Sequence, residues 1–148
     1  MAKFIYRMQN ILDIKLKLES QAKIAYSQAN AALREEEAKL LKLFERKNAY
    51  DNRAKELVEG KIDLLEIKKC RQAIESMKVL IRRQMMQVQV AEKNVEAARQ
   101  KLEEFMKERK TQEKLREKDF EDFKQQLAQE DNKVVDELVS YSYGRPKK

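Results

Sequence analysis

The chain has 148 residues, of which 40% are charged, and it contains two glycines, one proline and no tryptophan. A globular core needs turns, and turns need clusters of Gly, Pro, Asn or Asp that this sequence lacks. The composition is typical of long helices and coiled coils, so we expect the chain to bury a seam between helices. The net charge is +7, but basic and acidic residues interleave along the chain. This interleaving favours solvated helix faces over nucleic-acid binding.

Apolar residues recur at heptad spacing through the first part of the chain, in two series that alternate by three and four residues. This spacing predicts the seam of a coiled coil. The polar members Lys15, Glu19 and Glu36 are expected to weaken the seam locally. The first series is Ile5, Leu12, Glu19, Tyr26, Leu33 and Leu40, and the second is Met8, Lys15, Ala22, Ala29, Glu36, Leu43, Tyr50 and Leu57.

Gly60, the only glycine before residue 144, marks the place where the helix either continues or reverses. A straight helix of about 140 residues would reach roughly 210 Å and would need a parallel partner to bury its seam. A glycine permits the left-handed conformation that ends a helix, and Asp63 suits the first turn of the next one. We therefore predict an all-α fold, a long antiparallel two-helix coiled coil in a single domain, 1–148. Its predicted parts are helix 1 at about 2–58, a turn at about 59–63, helix 2 at about 64–142 and a frayed tail, 143–148.

Helix 2 is predicted to be longer than helix 1. A reversal near residue 60 places residue i opposite about residue 120 − i, so helix 1 runs out opposite roughly residue 118. The heptad pattern fails over 107–118, where Leu115 is the only apolar residue, and a new phase begins at Phe120. The rest of helix 2 would overhang with an apolar stripe that has no internal partner, which indicates either an interface or self-association. The stripe comprises Phe120, Phe123, Leu127, Val134, Val135 and Leu138.

Two further regions are rich in apolar residues. The middle of the hairpin carries more of them than a two-position seam accepts, so some point outward or the seam is wider there. At the open end Phe4, Ile5 and Met8 alternate with Lys3 and Arg7. Such an end would suit an acidic or polar socket or a lipid surface, although nearby acidic residues argue against simple lipid binding.

The sequence offers little for catalysis. It has no histidine, and one glycine in the body of the chain cannot build a phosphate-binding loop, so we expect no enzyme activity, cofactor or metal. Cys70 is the only cysteine, which excludes an internal disulfide and suits a seam residue in a reducing compartment. No apolar run would cross a bilayer, and the N-terminus lacks the pattern of a signal peptide. We expect a cytoplasmic protein without a direct transmembrane segment.

Several segments, taken in order, resemble the FliJ family of bacterial flagellar export proteins. The opening FIYRMQNILDIKLKLE at 4–19 resembles the start of that family, and the stretch from Tyr50 to Gly60 resembles its turn region. The segment IRRQMMQV at 81–88 is similar to its second helix. The most specific part is QEKLREKDFEDF at 112–123, followed by DNKVVDEL at 131–138.

The resemblance implies a non-enzymatic, stalk-like hairpin of the flagellar type III export apparatus, which serves motility. It implies three partners: the export ATPase hexamer, the cytoplasmic part of the export gate, and export chaperones. It also places the protein at the cytoplasmic face of the cell membrane, as a peripheral component at the flagellar base. The expected ATPase-ring residues are Phe4, Ile5, Met8, Leu115, Phe120, Phe123, Leu127 and Leu138, and the expected gate residues are Leu43, Tyr50, Met77, Leu80 and Gln84.

Two other functions fit the same pattern of residues. A coiled-coil tether or holdase-like chaperone would dimerise through the overhanging stripe and would need no ring partner. A basic rod that binds nucleic acid would show strongly salt-dependent binding, and it ranks last because the charges interleave.

Overall fold

The computed structural model describes residues 3–144 and confirms the all-α helical hairpin. Helix α1 spans Gln9–Leu57 and helix α2 spans Leu64–Gly144, and the described residues include no strand. The contacts divide the chain into two compact units. The first combines Met1–Ser20 with Glu104–Lys148, and the second is Gln21–Glu103. The prediction that they act as a single domain stays a prediction.

The reversal lies at 58–63, close to the predicted 59–63, and both ends of it have a physical cause. Gly60 has φ of +84°, a left-handed conformation that a side chain would strain. Asp63 caps α2, since its Oδ1 accepts hydrogen bonds from the backbone N–H groups of Leu65 at 3.0 Å and Glu66 at 3.4 Å. A glycine that ends one helix and an aspartate that begins the next therefore make the hairpin.

In the second unit the two helices pack through the predicted heptad positions. Its most buried apolar side chains are Ala22, Cys70, Met77, Ile81 and Ala91. Two contacts across the seam test the register. Gln84 Nε2 donates to the carbonyl of Glu36 at 2.9 Å, and Cys70 Sγ lies 3.2 Å from the carbonyl of Tyr50. Both pairs match the predicted sum of 120.

In the first unit the seam does not fail at 107–118, as the apolar pattern predicted, but becomes polar. Tyr6 Oη donates to Gln112 Oε1 at 2.9 Å, and Arg116 Nε donates to Gln9 Oε1 at 3.2 Å. A further polar pair joins Arg109 to the buried Glu19. Positions 109, 112 and 116 therefore keep the heptad spacing, with polar groups that pair across the seam.

Helix α1 begins at Gln9, later than the predicted residue 2. The segment before it is not helical, and the N–H of Gln9 donates to the carbonyl of Tyr6 at 3.1 Å. No Ser, Thr, Asp or Asn precedes Gln9 to cap an earlier helix. The non-helical path lets Phe4 and Tyr6 both turn their side chains towards α2.

The C-terminal part of α2 is longer than predicted, and its first residues have contacts within the chain that were not predicted. The helix continues to Gly144 rather than ending at 142, and the rest of the predicted frayed tail, 145–148, lies outside the described residues. Phe120 and Phe123, assigned to the overhang, have an internal partner in Phe4. Residues 128–142 are all exposed, so the part of α2 without a buried side chain begins after the half-buried Leu127.

Candidate partner-binding surfaces

An aromatic cluster brings together three of the predicted ring-binding residues in the first unit. The Phe4 ring lies 5.1 Å from that of Phe120 in an edge-to-face arrangement and 5.5 Å from that of Phe123. The guanidinium of Arg116 stands 5.8 Å above Phe4, and the ammonium of Lys124 lies 4.7 Å above Phe120. The aromatic groups are therefore engaged within the chain, and their first role is to fasten the segment before α1 onto α2.

Beside this cluster, the neighbouring residues of the N-terminal segment face solvent. The side chain of Ile5 is 77% exposed and borders a shallow depression with Phe123, Asp119 and Asp122. Met8 and Leu115 are also exposed. These side chains, unlike Phe4, are available to a partner without loss of internal packing.

The C-terminal apolar stripe, defined here as Val134, Val135, Leu138 and Val139, follows on α2. All four side chains are 46–62% exposed. Their spacing places them within one face of the helix, and they lie beyond the residues that pack against the N-terminal segment. Leu138 belongs to the predicted ring-binding set, and the half-buried Leu127 lies between this stripe and the aromatic cluster.

The predicted gate residues lie mostly in the seam of the second unit. Met77 is buried, and Leu43, Tyr50 and Gln84 are half-buried, whereas Leu80 is 37% exposed. Gln84 also donates to the carboxylate of Glu36 across the seam. A partner would therefore reach Leu80 directly and the other four only along the edges of the packed helices.

Several apolar residues at the same level point outward. Their exposure decides whether the surplus apolar residues in the middle of the hairpin point outward or widen the seam. Leu41 and Met86 are exposed, as are Phe44, Val79 and Val90. The excess apolar residues thus do not simply widen the seam. Val79, Met86 and Val90 are spaced by seven and four residues, so they share one outer face of α2.

A fourth surface, the apolar tip, was missed by the sequence analysis. It consists of Val58, Ile62, Leu64 and Leu65, which surround the reversal and are all exposed. The signal was present in VEGKIDLL, where four large aliphatic residues fall within eight positions. Turns are usually identified by glycine and polar residues, so the apolar residues around this one were not considered as a surface.

The sequence matches the family model described as flagellar FliJ protein over residues 4–148. The chain belongs to the flagellar FliJ protein family. This confirms the predicted resemblance, and it supports a component of flagellar or type III export. Curated proteins gave no match to the sequence. Within residues 3–144, no helix is long and apolar enough to cross a membrane, and no acidic or cysteine cluster suited to a metal ion is found.

A solved structure shares the fold of this FliJ-family chain. It is described as a YscO homolog from Chlamydia trachomatis, and the likeness has a TM-score of 0.59 at 17% sequence identity. The match covers 95% of this chain and 96% of the other. At this identity the likeness establishes the helical hairpin and no more.

Glu36 gives the seam of the second unit a dependence on pH. The hydrogen bond from Gln84 is the main cause that holds the pKa of the Glu36 carboxyl below its ordinary value, and Lys39 adds to it. Because the pKa is depressed in the folded state, this stabilisation is present above the ordinary carboxyl pKa and is lost as the pH falls through the folded pKa. We expect Glu36→Gln to make the free energy of unfolding less dependent on pH between about pH 7 and about pH 3.

Urea unfolding at the two pH values measures this effect, with Glu35→Gln as the control because Glu35 is the adjacent, exposed carboxylate. Equal pH dependence in the two variants would contradict a role for the Gln84 contact.

Proposed function

We propose that this chain is a non-enzymatic stalk of the flagellar export apparatus that binds the export ATPase hexamer and promotes its assembly and activity. In the same proposal the protein contacts the cytoplasmic part of the export gate and escorts export chaperones. It works without a cofactor, in the cytoplasm and at the inner face of the cell membrane. Family membership supports the export role, and the exposed surfaces described above support binding of partners.

The C-terminal apolar stripe is the observation that carries the ATPase proposal. A contiguous apolar face without an internal partner commonly marks an interface. Ile5 and Met8 are also exposed. A partner could therefore contact these apolar side chains of the first unit without disrupting the aromatic cluster. A single asymmetric helix inside a nearly symmetric ring would favour one subunit conformation at a time, and ATP turnover would rise.

The gate proposal rests on the middle of the second unit. Leu80 is the accessible member of the predicted gate set, and Leu41 and Met86 add exposed apolar area at the same level. Methionine side chains adapt readily to binding surfaces. We therefore expect gate contacts to involve Leu80 and its outward neighbours more than the buried Met77.

The decisive experiment is ATP hydrolysis by the purified cognate export ATPase, titrated with this protein while ring assembly is followed. Stimulation that saturates at far less than one copy per ATPase subunit is expected for a stalk. The double variant Val134→Gln/Leu138→Gln should lose most of this stimulation, because it removes two exposed apolar side chains from one helix face. Glutamine keeps the helix intact, so the far-ultraviolet circular dichroism should not change.

The matched control is Leu41→Gln/Val90→Gln, which changes two aliphatic residues of similar exposure in the second unit. It should stimulate the ATPase as the unaltered protein does. Full stimulation by the stripe variant would contradict the insertion of this stripe into the ring. A stable dimer in sedimentation that the stripe variant abolishes, with no stimulation of the ATPase, would favour the tether instead.

A further inference from the structure

The apolar tip is the most exposed group of large aliphatic side chains in the second unit. Val58, Ile62, Leu64 and Leu65 are 61–77% exposed. From these fractions the four side chains present roughly 450 Å² of apolar surface, a size of patch that is often functional on a single chain.

The backbone holds these side chains outward rather than leaving them to collapse onto the seam. Gly60 fixes the direction of the turn through its positive φ, and nothing lies within 4 Å of the position that a Cβ would occupy there. Asp63 fixes the start of α2 through its two backbone hydrogen bonds. Ile62 and Leu64 flank this cap, so the tip is a preorganised convex surface.

A second copy of the chain is a poor occupant for this surface. Two tips in contact would bury about 900 Å² in total, below the roughly 1,200 Å² of the smallest stable interfaces. A protein pocket is also a poor fit by composition. No aromatic residue lies between Tyr50 and Phe105, whereas binding hot spots are rich in Trp and Tyr and poor in Leu and Val.

The charges around the tip suit an anionic surface. The segment 53–71 contains six basic and four acidic residues, which leaves a net charge of +2. Two of the acids are occupied within the described structure, because Asp63 caps α2 and Glu66 pairs with Lys69 at 3.9 Å. Basic residues that no described ion pair engages remain on both sides of the aliphatic group, and they are Arg53, Lys55, Lys61, Lys68 and Arg71.

We propose that the apolar tip inserts into the surface of a bilayer that contains anionic phospholipids. The four aliphatic side chains would enter the boundary between headgroups and acyl chains, and the flanking lysines and arginines would contact lipid phosphates. Lys61 lies between the aliphatic residues, and its long stem lets the ammonium group return to the headgroups. This contact needs neither the ATPase nor the gate, so it stands apart from the function proposed above.

The absence of tryptophan from the chain provides a direct probe. In the variant Ile62→Trp of the 148-residue chain the new indole would be the only one, and its fluorescence should shift to the blue on addition of vesicles of phosphatidylcholine and phosphatidylglycerol. The matched control is Ile24→Trp, at an isoleucine of similar exposure in the same unit, and its emission should not shift. An unshifted spectrum for Ile62→Trp, or an equal shift in both variants, would overturn the proposal.

Co-sedimentation with the same vesicles measures the affinity of the protein without a probe. The unaltered chain should bind, and added salt or omission of phosphatidylglycerol should weaken binding. Ile62→Gln/Leu65→Gln should lower the partition coefficient at least about ten-fold, because two aliphatic side chains no longer leave water. The control Ile24→Gln/Val90→Gln, which changes two exposed aliphatic residues elsewhere in the second unit, should partition like the unaltered protein. Binding that ignores anionic lipid, or that survives the tip substitutions, would contradict the proposal.

Discussion

Replacement of Arg109 with leucine is expected to lower the free energy of unfolding clearly more than the loss of an exposed ion pair would, because it removes the cation that bonds to the buried carboxylate of Glu19 across the seam. Glu19 is 4% exposed, and Arg109 bonds both to it and, at 2.8 Å, to Glu113. The bond to Glu19 is the main reason why the pKa of Arg109 lies above its ordinary value. The pair therefore holds two charges in a seam that is otherwise expected to be apolar.

The double variant Glu19→Leu/Arg109→Leu separates the value of the pair from the cost of breaking it. Replacement of both partners by apolar residues removes the buried charges together, so its stability should return to near that of the unaltered protein or exceed it. Urea unfolding of both single variants and the double variant gives the coupling free energy.

Arg99→Leu is the matched control for this series. Arg99 also pairs with two carboxylates, Glu96 and Glu103, but all three lie on α2 and the Arg99 side chain is 42% exposed. Its removal should cost much less than that of Arg109, as is usual for exposed pairs. Equal losses for Arg99→Leu and Arg109→Leu would contradict a special role for the buried pair.

The hairpin and the seam of the second unit were predictable because they depend on local signals. The heptad spacing sets the buried face, and one glycine in a chain without other helix breakers sets the reversal. At equal rise these two facts also fix the register, which the Glu36–Gln84 contact matches. No long-range information was needed for these features.

The seam of the first unit was not predictable by the same means. A search for apolar periodicity reads Arg109 and Gln112 as a break, although each keeps the heptad position and finds a partner about a hundred residues away. The start of α1 at Gln9, later than predicted, has the same origin. Phe4 leaves the helical path for contacts with rings on α2, and no local sequence signal announces a contact over that distance.

The candidate sites show a related limit. Residue type identified the apolar residues, but their exposure depends on which neighbours the fold supplies. Phe120 and Phe123 were expected to have no partner within the chain, but both rings contact that of Phe4. Met77 was expected at a binding surface and is buried in the seam. The ring and gate assignments therefore stay predictions, and the exposed neighbours of these residues are now the better targets for substitution.

Phe4→Ala and Ile5→Gln form a matched pair that separates folding from binding at the open end. Phe4 faces inward and contacts two rings, whereas the adjacent Ile5 is 77% exposed. We expect Phe4→Ala to destabilise the N-terminal segment by about 2 kcal/mol, less than for a fully buried ring because Phe4 is half-buried. Ile5→Gln should leave stability within about 0.5 kcal/mol.

Hydrogen exchange measures the first effect locally. The N–H of Gln9, which donates to Tyr6, should exchange faster in Phe4→Ala and at the original rate in Ile5→Gln. If the exposed residues of this end contact the ATPase ring, Ile5→Gln should reduce stimulation while exchange is unchanged. Loss of stimulation in Phe4→Ala alone would show that the cluster matters only by holding the N-terminal segment on α2, and Ile5 would then leave the set of ring-binding residues.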